Sequence, residues 1–336
     1  MQDPTRLIQN NRLRCKFEKN NTVLFFSLVD YRNNLFTSND PEKIIEFYDG
    51  FDNRDQLIQW MKERPKGASY IHEVEGNKDI IVVIPTADFN GKYARTCREE
   101  IFKGLHMVFV ESGENPDPYF NYAHNCNEGI RRALYYDPNW VIITNDDMEK
   151  IDEINLLVKQ LRTLDDNVQI VFAPKGEKIV AEWQIGRINS LGLLVSYLLP
   201  KYNKSAYYAD ILKLRNKFDI TYVNFDSKFN FSGWKDLFYR KMYTKTTEKF
   251  KISGVFNVMR AQYLRQMGPY FFDSTFINGY EDTEVYLKAS RNGVTSAKID
   301  YRIKNLLGMS LGDGKNRNLR EICSHSYLCF KMFKKE

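Results

Sequence analysis

Asp79-Ile80-Ile81-Val82-Val83-Ile84-Pro85-Thr86 is the stretch whose reading decides the fold. Five consecutive apolar residues, all of them β-branched and closed off by proline, read as a strand buried on both faces, the pattern of a central parallel strand. Downstream, Tyr93 to Phe102 has the pattern of a helix. His106 to Val110 is a second apolar strand ending at Glu111-Ser112-Gly113. Asn127 to Leu134 predicts a second helix, and Trp140-Val-Ile-Ile-Thr144 a third strand that runs into Asn145-Asp146-Asp147. Buried strands alternating with helices predict an α/β fold with a mostly parallel, doubly wound sheet flanked by helices. Each strand ends in a polar cluster, and the carboxyl edge of such a sheet is where ligands bind.

With 336 residues the chain can form one large α/β domain with appendages, and 43% hydrophobic against 27% charged residues excludes a disordered polymer. Cys15, Cys97, Cys126, Cys323 and Cys329 are odd in number and form no Cys-x-x-Cys pair, which argues against a disulfide framework and a zinc site. A reducing, cytoplasmic location is expected. Met1-Gln-Asp-Pro-Thr-Arg6 lacks a signal-peptide pattern, and no apolar run reaches the roughly 20 residues that span a bilayer.

Residues 1–77 read as a small N-terminal extension, with a strand at Thr22 to Phe26 and a capped amphipathic helix from Asp52 to Met61. Residues 78–336 then form the main domain. Within it, 181–251 reads as a helical and aromatic insertion. It holds 13 Lys and Arg against six Asp and Glu, so more than the whole net charge of +6 sits there, together with 15 aromatic residues and the apolar, helix-like run Ile188 to Leu199. Basic and aromatic residues interleaved in this way suit peripheral docking on an anionic membrane surface, or a packing subdomain with a solvated basic face. A nucleic-acid partner is not expected, because no RNA- or DNA-binding motif accompanies the charge.

No Gly-x-Gly-x-x-Gly and no Walker loop follows the first strand, so a bound diphosphate would need a cation to hold it. Asp147, placed after a buried strand, is the candidate ligand. A second acidic pair, Glu281-Asp282 in Phe276-Ile-Asn-Gly279-Tyr-Glu-Asp282, is the candidate base. A divalent cation on a leaving diphosphate and a separate carboxylate that deprotonates an acceptor hydroxyl are the two requirements of sugar transfer from a nucleotide. Asp residues at such places also cap helices and solvate turns, and Glu281-Asp282 would complement a helix dipole in any protein.

Several further pieces fall in a matching order. They are Ile84-Pro85-Thr86, Val110-Glu111-Ser112-Gly113, Asn125-Cys-Asn127-Glu-Gly129, Asn145-Asp146-Asp147, Ser253-Gly254-Val-Phe-Asn-Val-Met-Arg260, Gly268-Pro-Tyr-Phe-Phe-Asp273 and Gly279-Tyr-Glu281-Asp282-Thr-Glu284. Over about residues 78–333 the set resembles the inverting GT-A glycosyltransferases of the family-2 type. The resemblance implies a GT-A fold and a nucleoside-diphosphate-sugar donor bound by Pro85, Thr86, Glu111, Asn127, Asp146, Ser253 and Gly254. It also implies Mn²⁺ or Mg²⁺ on Asp147, Asp282 as base, and Glu281 orienting a glycan, lipid-linked or protein acceptor.

The chain departs from that pattern at three places. Asn145 replaces the first Asp of the metal element, and Cys126 stands where relatives carry an Arg on the donor phosphates. Asn305-Leu-Leu-Gly308-Met-Ser310 carries an amide where the pattern has a metal-binding His, and His325 is the imidazole available as a substitute. These departures sustain a second reading, a non-catalytic nucleotide-sugar or carbohydrate-binding protein with a decayed metal site. A sugar-1-phosphate nucleotidyltransferase ranks last, since its Gly-rich first loop is missing.

Overall fold

The computed structural model describes residues 35, 40–112, 119–173, 180–188, 206–226, 244–268, 270–306 and 314–333. The expected strand at Thr22 to Phe26 lies outside them, as does nearly all of the run Ile188 to Leu199.

The seven-stranded central sheet is built outward from β2 (Asn77–Thr86), the strand that carries the deciding stretch. On one side it pairs in parallel with β3 (Leu105–Glu111), on the other with β4 (Trp140–Thr144). β1 (Tyr70–Val74) closes one edge, antiparallel to β3. Beyond β4 comes β10 (Phe256–Arg260), antiparallel to both β4 and β6 (Ile170–Phe172), and then β11 (Ser296–Lys298), parallel to β6. The order is β1-β3-β2-β4-β10-β6-β11. Five strands share one direction, and β1 and β10 oppose it. The fold is therefore α/β, with a mixed, mostly parallel sheet flanked by helices and compatible with a Rossmann-like arrangement.

Both faces of β2 are buried, as the unbroken apolar run requires. Ile80, Val82 and Ile84 pack with Met107, Phe109 and Ile142 against Ala94, Cys97, Ile101, Phe102, Leu157 and Leu161. Those six residues belong to α3 (Lys92–Thr96), the π-turn Cys97–Ile101 with Phe102 after it, and α5 (Ile154–Arg162). On the opposite face, α4 (Tyr122–Leu134) lies so close to the sheet that a Cβ on Gly129 would sit 2.3 Å from Val83 Cγ1 and 2.9 Å from Val110 Cγ2. Gly129 is thus the contact point of this layer. Among the described residues no helix is long and apolar enough to cross a membrane.

Two boundaries drawn from sequence need correction. Residues 40–77 are not a unit apart: residues 31–336 form one compact unit. β1 is a strand of the central sheet, and Tyr48 Oη, on α1 (Pro41–Asp49), donates to Leu319 O at 2.7 Å. The helix expected from Asp52 is α2 (Arg54–Glu63), capped by Asn53, whose side chain accepts from the N–H groups of Asp55 and Gln56. Nor are the described residues of 181–251 chiefly helical. β7 (Val180–Ile188) lies between β8 (Tyr222–Asp226) and β9 (Thr244–Ser253) in an antiparallel three-stranded sheet, with the helix α6 (Ala206–Lys217) between β7 and β8 in sequence.

Overpacking a well-filled layer costs about 1–3 kcal/mol. Gly129→Ala is therefore expected to lower the unfolding free energy by about 1–3 kcal/mol, read as a lower urea midpoint with an unchanged m-value. A variant as stable as the wild type would show that α4 does not rest on Val83 and Val110.

Candidate functional site

Of the residues that the sequence singled out, Pro85, Thr86, Asp146 and Asp147 gather at the carboxyl ends of β2 and β4. Thr86, the last residue of β2, donates through Oγ1 to Asp146 Oδ2 at 2.6 Å. Pro85 beside it is buried within the same strand. Burial raises the Asp146 carboxyl, the Thr86 hydrogen bond opposes that shift, and Asp147 adds to it. Beneath the pair, Cys97 Sγ contacts Asp146 O at 3.2 Å, and burial followed by the charges of Asp146 and Asp147 keeps this thiol protonated.

Asp147 is 8% exposed and follows the strand end closely. Its Oδ1 accepts from Asn305 Nδ2 at 2.8 Å, and its backbone carbonyl accepts from Leu306 N–H at 2.9 Å. The juxtaposition is made by a two-stranded ribbon in which β12 (Ile303–Asn305) pairs with β5 (Met148–Lys150) and sets Asn305 opposite Met148. Asn305 and Asp147 are oxygen donors, or an amide that becomes one on rotation, and both suit a hard divalent cation. Among the described residues no group of three or more His, Cys, Asp and Glu side chains forms a metal cage. This donor set fits a cation such as Mg²⁺, which is held by one or two protein groups and by substrate phosphates.

The second acidic pair arrives from the far side of the sheet. Glu281 and Asp282 open the helix α8 (Glu281–Arg291), which follows α7 (Ala261–Met267), and their charges lie in its first turn, where the helix dipole favours them. The lead-in is strained: Asn278 and Tyr280 have φ of 52° and 70°. Asn tolerates this region, whereas an aromatic residue holds it only when its surroundings enforce it. Here Tyr280 is clamped by stacking on His325 at 4.8 Å. Asp282 Oδ1 takes the Thr283 N–H at 2.6 Å, and Oδ2 faces Gly254, where a Cβ would lie 2.8 Å away. A side chain at 254 would therefore displace the free carboxylate oxygen. Val255 connects the two acidic pairs, since its carbonyl accepts from Thr144 Oγ1 at 3.0 Å and from Asn145 N–H at 3.3 Å.

Three expected donor contacts are otherwise engaged. Asn127 donates to Phe272 O at 2.7 Å and accepts from Phe272 N–H at 2.9 Å, so its whole amide ties α4 to the loop after α7. Ser253 is fully buried and its Oγ donates to Phe256 O at 2.5 Å, closing the turn into β10. Glu111 accepts from Phe89 N–H at 3.0 Å and pairs with His72 Nε2 at 2.7 Å. His325, the imidazole considered as a substitute ligand, is 5% exposed and stacks on Tyr280, and burial together with Arg215 lowers its pKa to about 3.

Reading from sequence missed His72, stacked on Phe89 at 4.4 Å, because β1 was assigned to the extension. It also missed Tyr122, because the helix was begun at Asn127, whereas Asn121 caps it by accepting the His124 N–H at 2.8 Å. An Asn placed before a helical apolar pattern was the available signal. Two hollows formed by described residues lie elsewhere. One of about 220 Å³ adjoins Asp79 and Arg162, and one of about 400 Å³ lies between Tyr270, Asp273, Ser274 and Lys331. The segments that continue from the strand ends in sequence, 113–118, 174–179 and 307–313, are outside the described residues.

No protein-family model matches this chain, and no curated protein shows a significant sequence match to it.

Burial, and then the neighbouring Asp282, push the Glu281 carboxyl well above the ordinary carboxylate range; burial raises Asp282 as well. A native pKa above the unfolded one means that the folded protein keeps a proton the unfolded chain has released. Stability then falls as pH rises from the unfolded value to the native one, and the whole penalty is present above that window. Glu281→Gln is expected to match the wild type at about pH 4 and to exceed it by on the order of 1 kcal/mol or more at about pH 9, measured by urea unfolding. A stability difference that does not change with pH would mean that Glu281 is ionised throughout.

Proposed function

We propose that this chain is a GT-A type glycosyltransferase that moves a sugar from a nucleoside-diphosphate donor to an acceptor hydroxyl with inversion. The observation that carries the reading is the convergence of Asp147 with Asn305 and of Asp282 with Gly254 around one strand junction at the carboxyl edge. A single displacement needs both elements, one beside the leaving group and one beside the nucleophile. In this reading Asp282 Oδ2 takes the proton of the acceptor hydroxyl as its oxygen bonds to the anomeric carbon and the bond to the diphosphate breaks. Glu281, whose carboxyl is raised by burial and by the neighbouring Asp282, orients the acceptor beside it. Gly254 lets the sugar approach the backbone beside that oxygen. Asp147 and Asn305 would hold a Mg²⁺ or Mn²⁺, which supplies charge neutralisation to the leaving diphosphate. Thr86 orients Asp146 for the ribose, and the His72 and Phe89 rings beside Glu111 offer a flat surface for the base.

The second reading, a binding protein without turnover, is favoured by the engagement of Asp147 Oδ1 by an amide and by the lack of a third ligand among the described residues. Peripheral membrane docking through 181–251 remains part of the proposal on charge alone. Lys235, Arg240 and Lys241 lie outside the described residues, and of Lys245 only the backbone is described.

A thermal-shift screen of nucleotide sugars with and without Mn²⁺ identifies the donor, and product analysis then separates turnover from binding. With that donor, Asp282→Asn is expected to lower transfer by about a hundredfold or more while calorimetric donor affinity stays within about twofold. Equal loss of affinity and transfer would put Asp282 on the nucleotide instead.

A further inference from the structure

The hollow of about 400 Å³ that described residues form between Tyr270, Asp273, Ser274 and Lys331 has a chemistry of its own. Its place follows from α8. Lys331, on the helix Ile322–Met332, reaches Glu284 Oε1 at 2.5 Å, and Glu284 follows Asp282 by two residues, so these two side chains leave the α8 axis roughly 200° apart. Asp282 faces Gly254, whereas Lys331 brings the hollow to the Glu284 side. The polar groups of the lining are held in place. Asp273 Oδ2 accepts from Tyr327 Oη at 2.8 Å and from Lys331 Nζ at 2.5 Å, while Oδ1 accepts from the Thr275 N–H at 2.9 Å. The Lys331 ammonium lies 5.9 and 5.8 Å from the ring centroids of Phe276 and Tyr327, which pack edge to face at 4.9 Å. Asn121 Nδ2 holds the Ser274 carbonyl at 3.0 Å. Burial opposes ionisation of Asp273, but the hydrogen bonds of Lys331 and the Thr275 N–H bring its pKa down to about 2, so the pair stays charged. Both partners remain within reach of solvent, the side chains of Lys331 and Asp273 being 27% and 22% exposed, and Tyr270 beside them is 70% exposed.

This lining discriminates between classes of ligand. An anion would meet Asp273 and Glu284, and a cation would meet Lys331, so either would have to break a pair already made. Lys66, the other cation that Asp273 attracts, has its Nζ enclosed and does not line the hollow. An apolar ligand would cover a carboxylate and an ammonium without hydrogen-bonding them. A neutral polyhydroxylated ring avoids each of these penalties, because its hydroxyls can donate to Asp273 and accept from Lys331 while its C–H face lies on an aromatic side chain. Hydrogen bonds with one ionised partner are also the stronger kind. We propose that this hollow is a carbohydrate site separate from the acidic pair, binding a neutral sugar ring with its C–H face on Tyr270 and its hydroxyls on Asp273, Ser274 and Lys331. The site stands whether or not the chain transfers sugar.

The test uses the full chain without metal or nucleotide, with methyl glucoside, methyl galactoside, lactose and methyl glucuronide as probes and binding followed by saturation-transfer NMR. At least one neutral probe should bind the wild type, and Tyr270→Ala should weaken it about 3- to 10-fold, the worth of an aromatic contact. Tyr270→Phe keeps the ring and should bind like the wild type. Both variants should melt with the wild type, because the side chain is mostly in solvent. Asp282→Asn should leave the binding unchanged, and methyl glucuronide should bind no better than methyl glucoside. Failure of every neutral probe to bind, binding unmoved by Tyr270→Ala, or a preference for the glucuronide would overturn the proposal. Binding lost in Asp282→Asn and kept in Tyr270→Ala would put the sugar beside the acidic pair and overturn it as well. Binding of N-acetylglycinamide in place of every glycoside would assign the hollow to a peptide instead.

Discussion

The hydrogen bonds from Thr144 Oγ1 and Asn145 N–H to the Val255 carbonyl hold the site together. They exist because β10 runs antiparallel between β4 and β6, so that its beginning meets the end of β4. A parallel strand at that place would bring its far end to the carboxyl edge and carry Gly254 to the opposite side of the sheet. With the reversed strand, Ser253-Gly254-Val255 turns across the edge, Gly254 faces Asp282, and Asn145 leads into Asp146 and Asp147. Pairing of five residues, Phe256 to Arg260 with Thr144 to Trp140, thereby joins two acidic pairs that are remote in sequence.

Concentrating carboxylates at one edge is unfavourable in a low-dielectric setting, and each pair meets that cost differently. Asp146 and Asp147 divide their partners, Thr86 for one and Asn305 for the other, so both are tied down by hydrogen bonds. Glu281 and Asp282 rely on titration: burial raises both carboxyls, and the charge of Asp282 raises Glu281 further. Raised and shared acidity in a cleft marks functional sites more often than structural ones. The left-handed backbone at Tyr280 points the same way, because the stacked His325 maintains a conformation that the aromatic residue would not adopt alone.

Strands buried on both faces were legible in the sequence. Trp140 to Thr144 matches its strand residue for residue, and Ile80 to Ile84 and His106 to Val110 differ from theirs only at the ends. Their apolar runs leave no alternative face to expose. The region 181–251 was read by composition, which concealed the alternation in Thr244-Lys-Thr-Thr-Glu-Lys-Phe-Lys-Ile-Ser253 that makes β9 a strand. At the site, the acidic pairs and Gly254 were legible because their chemistry is written in residue type. The roles of Asn127 and Ser253 were not, since an amide or hydroxyl turned onto backbone looks the same in sequence as one turned to a ligand. The meeting of Asn305 with Asp147 depends on a ribbon of three-residue strands, too short for any periodic signal.

The central claim is that Asp147 holds the cation of a bound diphosphate. Electron paramagnetic resonance of Mn²⁺, titrated with the protein and a panel of nucleoside diphosphates, tests it without requiring the acceptor. The expected result is a protein-bound Mn²⁺ signal that appears only with a nucleotide, weakens at least about tenfold in affinity in a folded Asp147→Asn variant, and persists in Asp282→Asn. Nucleotide-dependent Mn²⁺ binding of equal strength in wild type and Asp147→Asn would contradict it.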